Sequence, residues 1–144
     1  MKHTYLFEPA SWQAKGTYYD ADLNSVEVSG WTNITHTDDF WINDGSMRLL
    51  NSEAEFFNIY EIKPFDQGKD FTDWTSYNPA LGQIDGNFML VEDSILSRYA
   101  SKDGRYSGFE FLKKIDDYTY ENRGFAFDGN KKLSSWSVRL SRIK

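Results

Sequence analysis

The chain has 144 residues, 17% of them aromatic, and a formal net charge of −6. That length suits one domain, residues 1–144, with a core of its own, and so aromatic a composition excludes a disordered chain. Acidic residues are spread out and no Lys/Arg cluster is offered to phosphates, which sets nucleic acid and anionic membrane aside as partners; with no cysteine, thiolate and disulfide chemistry are excluded too.

From the N-terminus, Met1 to Tyr5 lack the apolar run of a secretory signal, and no later stretch approaches the roughly 20 apolar residues of a spanning helix, so the expected compartment is the cytoplasm. The segment Glu8 to Gln13 predicts one short helical turn, with Pro9 at an early helical position. Beyond it the hydrophobic period is two. Strands are expected near 14–20, 25–36, 40–50, 54–63, 70–77, 83–91, 94–101, 106–113, 118–127 and 133–142. Pro9, Pro64 and Pro79 all fall at strand ends, where a missing N–H costs no ladder bond. Asp103-Gly104 and Gly129-Asn130 are two-residue hairpin signals, and Glu92-Asp93 and Asp116-Asp117 are weaker ones. Consecutive short turns make a meander, and a long meander removes its edges by closing. The expected fold is therefore all-β: a single antiparallel meander barrel of about 8–10 strands with a short N-terminal helical turn.

Two-residue turns fix register, and register decides which side chains share a face. The turn at Glu92-Asp93 pairs Leu90 with Ile95 and Phe88 with Ser97. The turn at Asp103-Gly104 pairs Tyr99 with Gly108 and Ser97 with Glu110. A two-residue turn at Asp116-Asp117 then pairs Glu110 with Arg123 and Leu112 with Glu121, and one at Gly129-Asn130 pairs Arg123 with Trp136. Chained together, these put Ile84, Phe88, Leu90, Ile95, Ser97, Tyr99, Tyr106, Glu110, Leu112, Glu121, Arg123, Phe125, Trp136, Val138 and Leu140 on one face. That face is apolar in its first and last strands, so it is read as the barrel interior.

The interior so drawn holds two carboxylates, Glu110 and Glu121, beside the Arg123 guanidinium, which can take a carboxylate bidentately. With Phe88, Tyr99, Tyr106, Phe125 and Trp136 around them, these are the candidate ligand-binding residues: an apolar wall with a few convergent polar groups. The alternatives are a cross-strand Glu110–Arg123 ion pair in solvent or a purely structural buried pair. The opposite face carries Met89, Val91, Leu96, Phe109, Phe111 and Tyr120 beside Arg98 and Lys113. It reads either as a homodimer interface or as a sign that inside and outside are exchanged, with Arg98 within. His3 and His36 lack metal-ligand spacing, no cofactor-binding loop or nucleophile motif occurs, and so no metal, cofactor or catalytic residue is assigned. Trp31, Trp41, Trp74 and Trp136 are core residues or a stacking surface.

The stretch Ala10-Ser11-Trp12-Gln13-Ala14-Lys15-Gly16-Thr17-Tyr18-Tyr19 resembles the start of calycins, the lipocalins and fatty-acid-binding proteins and their bacterial relatives. Trp12 matches the tryptophan of the lipocalin G-x-W, and Ala10 replaces its glycine. The resemblance implies an eight- or ten-stranded barrel with an internal cavity, closed by a basic residue of the last strand, Arg139 or Arg142, over the tryptophan. It names no ligand. Three functions are consistent with the residues. The first is a binding module for a small apolar or amphipathic molecule. The second is an isomerase, cyclase or lyase with Glu110 or Glu121 as acid or base. The third is a structural homodimer with a filled barrel.

Overall fold

The computed structural model describes residues 2–79 and 81–143. Ten strands follow one another: β1 (Ala10–Asp20), β2 (Ser25–His36), β3 (Trp41–Leu49), β4 (Glu55–Ile62), β5 (Phe71–Asn78), β6 (Gly82–Val91), β7 (Ser94–Ser101), β8 (Tyr106–Asp116), β9 (Thr119–Asp128) and β10 (Lys131–Arg142). Each pairs antiparallel with its chain neighbours, and β1 pairs with β10, so the meander is a closed barrel. Closure removes the two outer edges that an open sheet of these strands would expose. No helix long and apolar enough to cross a membrane occurs among the described residues.

The helical turn lies earlier than the sequence suggests. Glu8 N–H donates to the Thr4 carbonyl at 3.1 Å, and β1 has begun by Ala10. Pro9 explains the shift, since the residue before a proline is driven out of the α region, so a turn ends at Glu8 and does not start there. The segment before Pro9 plugs one end of the barrel, with His3, Thr4, Tyr5 and Leu6 all buried. His3 Nε2–H donates to the Glu92 carbonyl at 3.0 Å, which leaves Nδ1 to accept from the Tyr120 hydroxyl at 2.8 Å. Thr4 N–H donates to that same hydroxyl at 3.1 Å. Tyr5 and Tyr120 both pack against Trp12, whose ring is fully buried. Among the described residues, Trp12 Nε1 is the buried side-chain polar atom left without a hydrogen-bond partner. Arg142 stands directly opposite Trp12 in the β1–β10 ladder and donates to Glu8 at 2.6 Å. Of the two basic residues that the calycin resemblance offers for closure, Arg142 is the one opposite Trp12 in the ladder. Arg139 faces outward instead, against Glu121.

The hairpin turns at Glu92-Asp93 and Asp103-Gly104 set the expected register. Phe88 pairs with Ser97, Leu90 with Ile95, Ser97 with Glu110 and Tyr99 with Gly108. The β8–β9 ladder departs from expectation. Its two-residue turn is Asp117-Tyr118, not the expected Asp116-Asp117, and the ladder shifts between Lys114 and Asp116, with Ile115 the extra residue, so Glu110 pairs with Gly124 and Leu112 with Asn122. Such a bulge turns every side chain beyond it to the other face. A second shift between Lys132 and Ser134 turns β10 back, and Trp136, Val138 and Leu140 face inward as expected. The inversion is therefore confined to β9. Tyr120, Asn122, Gly124 and Ala126 point in, whereas Glu121, Arg123 and Phe125 point out.

Candidate functional site: the barrel lumen

The end opposite the plug is open. A chamber of about 410 Å³ is walled by Tyr18, Val28, Met47, Leu49, Phe56, Trp74, Leu81, Ile84 and Val138, with Asn58, Tyr60, Tyr99, Glu110, Asn122 and Trp136 among its polar groups. A smaller chamber of about 150 Å³ continues inward to Tyr5 and Phe88, and shares Met47, Asn58, Tyr60, Glu110, Asn122 and Val138 with the first. The lumen thus runs from the open rim down to the plug. Its mouth lies beside the shortest ladder of the wall among the described residues, where β4 and β5 pair over Ile59–Ile62. Phe56 and Asn58 line the opening. A separate depression on the outer wall, bounded by Asp73, Asp85, Asn87 and Arg98, is lined by side chains already paired with one another.

Glu110 sits at mid-lumen. Strand β8 delivers it inward by parity with Leu112 and Gly108, and Gly124 opposite leaves room for it. A Cβ at Gly124 would collide with the Trp136 ring and the Glu110 Cβ. Trp136 Nε1–H donates to Asn122 Oδ1 at 3.1 Å. That bond fixes the amide so that Asn122 Nδ2 donates to Glu110 Oε2 at 3.2 Å and to the Phe111 carbonyl at 3.2 Å. No cation reaches Glu110 among the described residues, and protein surrounds the carboxyl. Burial pushes its proton affinity up, with Asn122 and the Trp136 indole pulling partly back. Burial likewise raises the Tyr60 and Tyr99 hydroxyls, and the nearby Glu110 charge adds to it. Tyr5, at the lumen floor, is pushed up to about 12. These phenols are held as neutral donors. Tyr99 spends its hydroxyl on the Phe125 carbonyl at 3.1 Å, and Trp74 Nε1–H donates to Ser97 at 3.1 Å.

The structure divides the residues proposed from sequence. Phe88, Tyr99, Glu110 and Trp136 line the lumen. Tyr106 has inward parity but sits at the rim, its ring beneath the Arg105 guanidinium. Glu121, Arg123 and Phe125 are corrected to the outer face by the Ile115 bulge. Glu121 there accepts from Arg139 at 2.5 Å and from Arg123 at 3.3 Å, and these guanidinium groups hold its carboxyl below the usual range. Phe125 is 42% exposed. The same bulge carries Tyr120 from the expected outer face into the core, while Met89 and Val91 do remain outside and Arg98 bonds Asn87 there. Asn58, Tyr60 and Trp74 are lumen residues that parity reasoning on the later strands did not reach, and Asn122, which that reasoning put outside between Glu121 and Arg123, is brought in by the Ile115 bulge. The alternation Thr72-Trp74-Ser76, all buried, was the available signal for Trp74.

These features define a ligand-sized, mixed-polarity cavity inside a ten-stranded antiparallel barrel, the class of fold that the calycin resemblance implies. No protein-family model and no curated protein matches the sequence. Solved structures do match in fold. An S-type phycobiliprotein lyase from Guillardia theta superposes with a TM-score of 0.70 at 10% identity, covering 95% of this chain and 89% of that one. A redesigned β-barrel follows at 0.43 and 13% identity, covering 98% and 95%. An N-terminal dehydratase from the difficidin assembly line lies further off, at 0.28 and 9% identity, covering 97% and 80%. The likeness to the lyase is one of fold, and the other two are too distant to add to it.

Proposed function

We propose that this protein binds a small amphipathic molecule in its lumen, with the apolar body among Trp74, Ile84, Met47 and Val138 and the polar end at Glu110, Asn122 and Tyr60. The observation that carries the reading is the pair of joined chambers. Their size falls in the range of small-molecule sites, roughly 300–1,000 Å³, and apolar walls converge on a few fixed polar groups. A barrel built only for stability would fill this space with side chains, as the plugged end does. The barrel of the phycobiliprotein lyase supports the fold; the lyase's chemistry is not carried over.

The test is a fluorescence titration with the neutral amphiphile N-phenyl-1-naphthylamine, on the native protein and on Ala126→Phe. Ala126 lines the open chamber far from the plug, so a phenyl ring there occupies ligand space. Saturable binding that weakens by about tenfold or more in the variant is expected, about 1.4 kcal/mol of lost affinity. A probe that does not bind, or binds both proteins equally, defeats the reading.

A further inference from the structure

We propose that the lumen selects an organic cation, an amphipathic amine or ammonium whose nitrogen docks on Glu110 while its apolar body lies against Trp74 and Tyr60. This deepens the binding reading above and rests on it. Among the described residues, Glu110 is the single charged side chain lining either chamber; no Lys, Arg, His or Asp does so. Arg123 could have paired the acid or received an anion, but it lies outside with Glu121. Asn122 Nδ2 donates to Glu110 Oε2 and the Trp136 indole also favours the carboxylate, but no cation pairs with it among the described residues. A carboxylate accepts through about four lone-pair sites, so most of its capacity is open to a ligand.

An anionic ligand would set a second negative charge beside the first in a water-poor space, where repulsion is poorly screened. An ammonium group instead supplies the counter-charge and the missing donors together. The walls favour the same sign. Trp74, Tyr60 and Tyr99 line the open chamber as a tilted aromatic cluster, at 4.9 and 6.0 Å between centroids, and aromatic rings attract cations. The net charge of −6 adds long-range attraction for cations and repels anions.

The experiment compares decylamine, decanol and decanoate, equal in chain and different in charge, as displacers of N-phenyl-1-naphthylamine from the intact protein and from Glu110→Gln. Decylamine should displace the probe at about tenfold lower concentration than decanoate, a difference of about 1.4 kcal/mol. Glu110→Gln should erase that preference. Decanoate binding as tightly as decylamine, or a preference that survives Glu110→Gln, overturns the proposal while lumen binding stands. So does a probe that binds and is displaced by none of the three. A probe that fails to bind removes both readings. Should Glu110→Gln not fold, the ranking of the three ligands on the native protein decides.

Discussion

At the plugged end, Tyr5, Leu6, Trp12, Ile34, Ile62, Ile95 and Tyr120 leave at most 5% of any side chain to solvent. At the open end, Tyr18, Leu49, Leu81 and Trp136 stay half-buried around an unfilled chamber. The same ten strands run through both regions, so the difference lies in what the inward positions carry. One end has large rings and branched aliphatics meeting across the axis and sealed by the N-terminal segment. The other has polar groups, and glycines against which the rings of Trp74, Tyr99 and Trp136 lie flush with the wall. Stability concentrates where packing is complete, and recognition is left to the region that gives some of it up.

Three measurements would break or sharpen this contrast. The largest effect is expected for Trp12→Ala, which empties the centre of the plugged end. A loss of roughly 3–5 kcal/mol in urea unfolding is expected. A loss below about 1 kcal/mol would mean that the seal does not hold the barrel together.

The second concerns His3, which burial holds below its ordinary value of 6.5 despite its bond to the Glu92 carbonyl. The folded protein therefore keeps His3 neutral while the unfolded chain takes up a proton, and stability falls as pH drops below 6.5. Thermal midpoints across that window should decline, and His3→Gln should flatten this part of the decline. An unchanged slope in the variant would show that the plug is not the pH-sensitive element.

The smallest effect is at the open end. Burial raises Glu110 above its ordinary value of 4.5, so the unfolded chain gives up the proton first and stability is lost as pH rises past that value. Glu110→Gln should raise the urea midpoint slightly at about pH 7 and leave it unchanged at about pH 4. A destabilised variant at neutral pH would mean that the ionised carboxyl is supported from within, against the assignment of an unpaired acid.

The strands and half of the lumen were legible because local chemistry specified them. Glu92 takes a positive φ of 52° and Gly104 one of 79°, and these tight turns transmit register from Phe88 through Ser97 to Glu110. The next step failed because nothing in Lys114-Ile115-Asp116 announces that Ile115 is unmatched in the ladder. Glu121, Arg123 and Phe125 alternate as inward residues would, and only the pairing of Lys114 with Tyr120 and Asp116 with Thr119 shows otherwise. The plug was hidden for another reason. Tyr5-Leu6-Phe7 is too short to read as an element, and its burial depends on contacts more than 100 positions away, such as Thr4 with Tyr120.

The two bulges behave like a frameshift and its suppressor. Ile115 alone would turn the whole remaining chain inside out and present Trp136, Val138 and Leu140 to water. Leu133 restores the frame one strand later, before the seam with β1 must close. The barrel can therefore exchange the chemistry of a single stave, here an Asn-Gly-Ala face for a Glu-Arg-Phe one, without disturbing the staves on either side.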